Sequence, residues 1–169
     1  MPDARTNRLL AALPNGEWPL WVRRLEPVDL ALGDVLYEPG RAPRHVYFPT
    51  TAVVSLLYLS ENGDCDEIAV IGCDGLVGVS LFMGGESTPG SAVVQSAGQA
   101  WRMSTASIAG EFERSPAVMH LLLRYSLALG AQIPSSKIEF RGERELEEII
   151  VRHGQGENAF EFYFADLTH

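Results

Sequence analysis

Leu32-Gly33-Asp34-Val35-Leu36-Tyr37-Glu38-Pro39-Gly40, followed shortly by Val46-Tyr47-Phe48, reads as a short strand, a Pro-Gly turn and the opening of a second strand. β-branched and aromatic residues favour a pleated, half-buried surface, while glycine and proline supply the backbone geometry of a turn. The same alternation continues on both sides. From Asp29 to Met103 the chain is a series of short runs rich in Val, Ile, Leu and Tyr, broken by Gly, Pro, Asn and Asp. Such spacing predicts an all-β sandwich or roll, with strands at Val35–Tyr37, His45–Phe48, Val53–Leu59, Asp66–Ile71, Ala92–Ala97 and Ala100–Met103. Glu61-Asn62-Gly63-Asp64 carries the Asn-Gly pair of a tight hairpin, whose central residues must accept positive φ.

Helices flank this region. Leu9, Leu10 and Leu13 recur at helical spacing, and Trp18 to Leu25 forms a second segment after the Pro14-Asn15-Gly16 break, so residues 6 to 25 are expected to give one or two short bracing helices. Downstream, Ser104 to Phe112 predicts a short helix. Ser115-Pro116 then joins an N-cap hydroxyl to a proline at the first helical position, a start signal for a helix running to about Gln132. Val118, Met119, Leu121, Leu122, Leu123, Tyr125, Leu127 and Leu129 occupy most of its circumference, which demands cover on two sides. One side can lie on the β region; a second subunit or the chain's own tail must meet the other.

Beyond Pro134 the character changes. Between Lys137 and His169 there are four bases and eight acids. Glu143 to His153 reads as a polar helix, and Phe160, Phe162 and Phe164 alternate like a strand. The division expected is 1–133 for helices, β region and long helix, and 134–169 for an acidic tail.

Composition excludes several function classes. The 169 residues are 46% hydrophobic and 21% charged, as expected of one globular domain, and 13 bases against 22 acids give a net charge of −9. That field repels phosphate backbones. No apolar run is long enough to span a bilayer and the start has no secretory apolar core, so a cytoplasmic location is expected. Cys65 and Cys73 are too few for a disulfide framework or an iron-sulfur cluster. His45, His120, His153 and His169 are scattered, with His45 alone in the β region, and no Gly-x-Ser-x-Gly motif is present. Neither metal, cofactor nor enzymatic activity is expected.

The order of helices, glycine-punctuated strands, short helix and long apolar helix resembles the sensor domain of the catabolite-activator/FNR (Crp/Fnr) transcription regulators. Residues 32–40 and 46–48 are similar to that family's opening strands. Gly72-Cys73-Asp74-Gly75-Leu76-Val77-Gly78-Val79-Ser80-Leu81-Phe82 resembles the start of its phosphate-binding cassette, and Ser91-Ala92-Val93-Val94 the end of it. Phe48-Pro49-Thr50-Thr51 is similar to a subgroup of that family. The resemblance implies a jelly-roll-like double-stranded β-helix, the β-roll of the cyclic-nucleotide-binding domain type.

In family members that bind a cyclic nucleotide, a Gly-Glu pair meets the ribose hydroxyl, and an arginine followed by a small residue holds the cyclic phosphate, because a buried phosphate needs a fork of N–H donors and a compensating charge. Here Gly78 matches the glycine, Val79 stands in place of the glutamate, and Ser91 matches the small residue with no arginine before it. Between His45 and Trp101 there is no Lys or Arg. The resemblance therefore implies a small-molecule effector other than cAMP, with Gly78, Val79, Ser80, Ser91, Ala92 and Tyr125 as the candidate pocket. It also implies a homodimer through helix 116–132, with Leu122, Tyr125 and Leu129 as interface candidates. Pro134 interrupts that helix, at a cost of about 3 kcal/mol for a proline inside a helix, where the regulators continue toward a helix-turn-helix domain. Direct DNA binding by this chain is not expected, and the function implied is signal-dependent transcription regulation. The competing reading is a stand-alone or truncated dimerisation or protein-interaction module without ligand or DNA binding.

Overall fold

The computed structural model describes residues 1–59, 65–78, 90–132, 137–140, 149–153 and 160–164. A 3-10 turn at Ala4–Thr6 leads into helices α1 (Arg8–Ala11) and α2 (Trp18–Val22). Seven strands follow: β1 (Glu26–Leu30), β2 (Val35–Tyr37), β3 (His45–Pro49), β4 (Val53–Leu59), β5 (Cys65–Ile71), β6 (Gly90–Ser96) and β7 (Gly98–Ser104). Helices α3 (Thr105–Arg114) and α4 (Pro116–Gln132) come next, then tail strands β8 (Lys137–Phe140), β9 (Ile149–His153) and β10 (Phe160–Phe164).

Two antiparallel sheets build the β-roll, one ordered β1-β7-β3 and the other β2-β6-β4-β5. The chain changes sheet between β6 and β7, with Ala97 alone separating them. Gly98 sits at that corner, where a Cβ would lie 2.5 Å from the Ala52 nitrogen and 2.6 Å from the Thr51 carbonyl carbon. Backbone cannot yield as a side chain can, so glycine is dictated by close approach.

The burial pattern follows the pleat. In β3 every residue from Val46 to Pro49 is buried, because both faces are covered. Val46 and Phe48 join a core with Leu9, Leu10, Trp21, Met103, Ile108, Val118 and Leu122, under the helices. Tyr47 points the opposite way, into a second core inside the roll with Leu30, Val54, Ile71, Val77, Ala92, Val94 and Ala100. Trp21 meets Phe48 edge to face at 6.0 Å, an arrangement adding about 0.5–1.5 kcal/mol beyond area burial. The predicted strands are present with ends shifted by at most two residues, and the expected cap at Ser115 is seen, its hydroxyl accepting from the Val118 N–H at 3.4 Å. The Ser104 side chain accepts from the Ser107 N–H at 3.2 Å, and Pro116 opens α4 behind Ser115.

Two expectations need correction. Strand β1 was not expected: Pro27 and two acids mask it, and it is tolerated because β1 is an edge strand with one buried residue, Leu30. Residues 149–153, expected in a polar helix, form β9 between β8 and β10, as the run Ile149-Ile150-Val151 favours. The Glu61–Asp64 turn lies outside the described residues, although β4 and β5 pair antiparallel up to Leu59 and Cys65, as a hairpin requires.

Asn7 and Glu111 fasten the helices to the roll. Asn7 is fully buried, donates from Nδ2 to the carbonyls of Pro49 (2.8 Å) and Gly75 (2.9 Å), and accepts at Oδ1 from the Leu9 and Leu10 N–H groups, both at 3.1 Å. Glu111 is 1% exposed and is neutralised by Arg24 and Arg114. Arg114 also pairs with Glu17, which accepts from Ser115 Oγ at 2.8 Å.

Asn7→Ala strands two buried carbonyls and two helix-start N–H groups, so chemical denaturation is expected to show a loss of about 2–4 kcal/mol. Asn7→Asp, which turns a carboxylate on the same carbonyls, should be no better; a variant as stable as wild type would refute the role. Hydrogen bonds from Arg114 and Ser115 hold the Glu17 carboxyl below its ordinary range. A depressed folded pKa stabilises above the unfolded pKa, and that contribution is lost as pH falls through the lowered value. Urea titrations at neutral and acid pH should therefore find Glu17→Gln less stable than wild type at neutral pH, with the gap closing on acidification.

Candidate functional site

The turn after β5, Gly72 to Gly78, is where the resemblance places a ligand. Its backbone closes with Gly75 N–H donating to Gly72 C=O at 3.2 Å. Leu76 and Val77 are then fully buried, and Val77 forms a bridge with Tyr47. Gly78 has φ +110°, and a Cβ there would stand 3.0 Å from Val46 Cγ1. Glycine is thus required at Gly78 by conformation alone, without any ligand.

Of the other candidates, Val79 and Ser80 lie outside the described residues. Ala92 is fully buried opposite Tyr37 and Leu56, where it fills the inner core, and Ser91 is half-buried opposite Leu57. Tyr125 is committed to the protein itself. Its hydroxyl accepts from Leu76 N–H at 3.0 Å and donates to Leu76 C=O at 3.1 Å, pinning α4 to the cassette turn. Burial pushes its pKa up to about 12, so the phenol stays neutral and keeps both bonds. Among the interface candidates, Leu122 is 1% exposed in the chain's own core and has no surface to offer a partner, a correction to the sequence reading. Leu129, near the end of α4, packs against both cores, while Leu127 is 50% exposed.

Two cavities adjoin these elements. A small one of about 120 Å³ lies between β5 and α4, beside Tyr125 and Asp74; its other walls are Val70, Ile71, Ala128 and Leu129, so its one charge is negative. A larger cleft of about 360 Å³ opens between β2 and β3, with Tyr37 and Tyr47 in its wall and Glu38, Arg41, Arg44 and His45 around it. Burial raises the pKa of both tyrosines. Burial, reinforced by Arg102, lowers that of His45, so its imidazole is neutral at neutral pH. The sequence reading passed over this cleft because it searched the cassette for cations, and Arg41-Ala42-Pro43-Arg44-His45 lies before it; the cluster of bases in an acidic chain was the available signal.

A model of the cyclic nucleotide-binding domain matches residues 27–115, from β1 through α3 and more than half of the sequence. The chain belongs to the cyclic nucleotide-binding domain family. No curated protein matches it. Among solved structures, the N-terminal domain of a transcriptional regulator from Streptomyces coelicolor A3(2) is similar at 23% identity and TM-score 0.56, over 74% of this chain and 87% of that one. The sensor domain of the transcriptional regulator DNR from Pseudomonas aeruginosa is similar at 17% identity and TM-score 0.59, over 76% and 87%. The Thermus thermophilus catabolite activator protein is similar at 20% identity and TM-score 0.59, over 71% of this chain and 56% of that one. These likenesses establish the cyclic nucleotide-binding β-roll that the sequence predicted. Among the described residues there is no helix-turn-helix and no helix long and apolar enough to cross a membrane.

Tyr125→Phe leaves the Leu76 N–H and C=O without their partner and is expected to cost about 1–3 kcal/mol. A Cβ on Gly75 would lie 2.4 Å from the Tyr125 hydroxyl and 2.9 Å from Ile71 Cγ2. In a double-mutant cycle followed by urea denaturation, Gly75→Ala should therefore be less damaging in the Tyr125→Phe background than in wild type; additive effects would show that the hydroxyl does not sit over the turn.

Proposed function

We propose that this chain is the regulatory sensor domain of a Crp/Fnr-type transcription regulator, cytoplasmic and not enzymatic, which responds to a small-molecule effector other than cAMP. The observation that carries this reading is a cyclic nucleotide-binding roll whose cassette stretch has no cation. No Lys or Arg occurs between His45 and Trp101, and Val79 replaces the carboxylate expected to hold a ribose hydroxyl. A phosphate buried in that cassette would lack a compensating charge, at a desolvation cost of several kcal/mol. The transcriptional regulators with the same fold supply the functional context, and assembly through α4 supplies the output. Gly78, Ser91, Ala92 and Tyr125 then act as the frame of the cassette, holding the turn and α4 together.

A second reading, a dimerisation module without a ligand, draws on Leu127. A leucine half exposed on α4, on a face it shares with the exposed His120, Arg124 and Ala128, suits a second copy of the helix, with Leu127 taking the place that the sequence reading gave to Leu122. Sedimentation of the ligand-free chain bears on it, since a dimer dispersed by Leu127→Glu favours this module.

Thermal unfolding with cAMP, cyclic GMP or cyclic di-GMP at millimolar concentration tests the main proposal. No shift in midpoint is expected. Binding to the native state stabilises by about 4 kcal/mol at a thousandfold excess over Kd, so a clear rise with cAMP would overturn the reading of Val79 and the cation-free cassette.

A further inference from the structure

We infer that the cleft between β2 and β3 is an oxyanion-binding site, with Arg41 and Arg44 as its anchors and a small phosphorylated or carboxylated metabolite as its ligand. The inference extends the sensor reading by naming the chemical class of the effector and moving its charge-binding groups from the cassette to the β2–β3 corner. Charge distribution carries it. The chain bears −9 overall, yet Arg41 and Arg44 both line the larger of the two clefts described, of about 360 Å³. Guanidinium groups present planar N–H forks that match carboxylate and phosphate oxygens.

Four of the nine arginines whose side chains are described sit in ion pairs. Arg24 and Arg114 neutralise Glu111, and Arg102 holds Glu26 at 3.1 Å. Arg44 has no carboxylate within ion-pair distance among the described residues, while its carbonyl is fixed by the Thr105 N–H (3.0 Å) and Oγ1 (3.2 Å) at the start of α3. The base of the side chain is thus held by a rigid element while the guanidinium remains uncompensated. Arg41 faces only Glu38, at 3.6 Å, with both side chains largely in water, a contact of little worth that an anion can displace. Tyr37 and Tyr47 line the cleft, and burial raises the pKa of each, so neither phenol places a negative charge beside an anion. The neutral imidazole of His45 adds a hydrogen-bonding group on the same rim. The volume admits a metabolite rather than a lone ion.

The test titrates the chain with inorganic pyrophosphate and with citrate, at ionic strength held constant by NaCl, and follows the thermal midpoint. A saturable rise with either probe is expected, the probe that acts distinguishing a phosphate from a carboxylate ligand. Arg41→Gln combined with Arg44→Gln should weaken the apparent affinity at least tenfold, while Arg124→Gln, which removes an exposed arginine of α4 that does not line the cleft, should leave it unchanged. If the double variant folds poorly, Glu38→Gln gives an independent measurement, because releasing Arg41 should tighten binding several-fold. A rise no greater than NaCl alone produces, or one equal in the double variant and wild type, or lost equally in Arg124→Gln, would overturn the site. Failure here is distinct from failure of the sensor proposal, which is read with cyclic nucleotides.

Discussion

Tyr47 exchanges both backbone hydrogen bonds with Val77, at 3.0 and 2.8 Å, and this bridge links the helix-covered sheet to the cassette turn. Its geometry leaves Val46 and Phe48 on the helix side and Tyr47 on the roll side, so one strand serves two hydrophobic cores. A one-residue slip would invert all three side chains. Gly78 makes the approach feasible: it takes a positive φ directly after the bridge, at a point where a side chain would press on Val46. The Tyr125 hydroxyl, bound twice to Leu76, brings α4 to the same turn. Roll, turn and long helix therefore meet within three consecutive residues, Leu76 to Gly78, and a displacement at any of them must be felt by the others.

Electrostatics supports the same arrangement from outside. A buried carboxylate such as Glu111 is tolerated only with compensating cations, and it draws Arg24 from the end of α2 and Arg114 from the end of α3. Glu17, before α2, reaches back to Arg114 and Ser115 at the α3–α4 junction. The junction that orients α4 is thus clamped by the N-terminal segment through charge, while the cassette turn is clamped to it through Asn7.

Much of the fold is written in local pattern. Val53 to Leu59 is a strand by its short run of Val, Leu and Tyr between turn residues, and Ser115-Pro116 starts a helix by capping chemistry alone, both independent of the rest of the chain. Where tertiary context decides, pattern falls short: Glu26-Pro27 becomes an edge strand only because β7 offers it a partner, and Leu122 is indistinguishable in sequence from Leu127 although one is core and the other half exposed. The candidate site was less legible. Gly78, Ser91, Ala92 and Tyr125 were found by position, but position says nothing of whether a tyrosine hydroxyl faces a cavity or a backbone. Arg41 and Arg44 meet Tyr37 and Tyr47 only when β2 and β3 fold over each other, a juxtaposition no spacing rule reveals.

The bonds of Asn7 span 42 residues to Pro49 and 68 to Gly75. A chain made from its N-terminus exposes Asn7 early, yet its two acceptors emerge only after much of the roll has been synthesised. Until then α1, at four residues, is far too short to persist alone, and Leu9 and Leu10 have nothing to cover. This segment is therefore made before the partners it needs and settles over a roll already formed, so what reads in the finished molecule as a brace is in its history a latch.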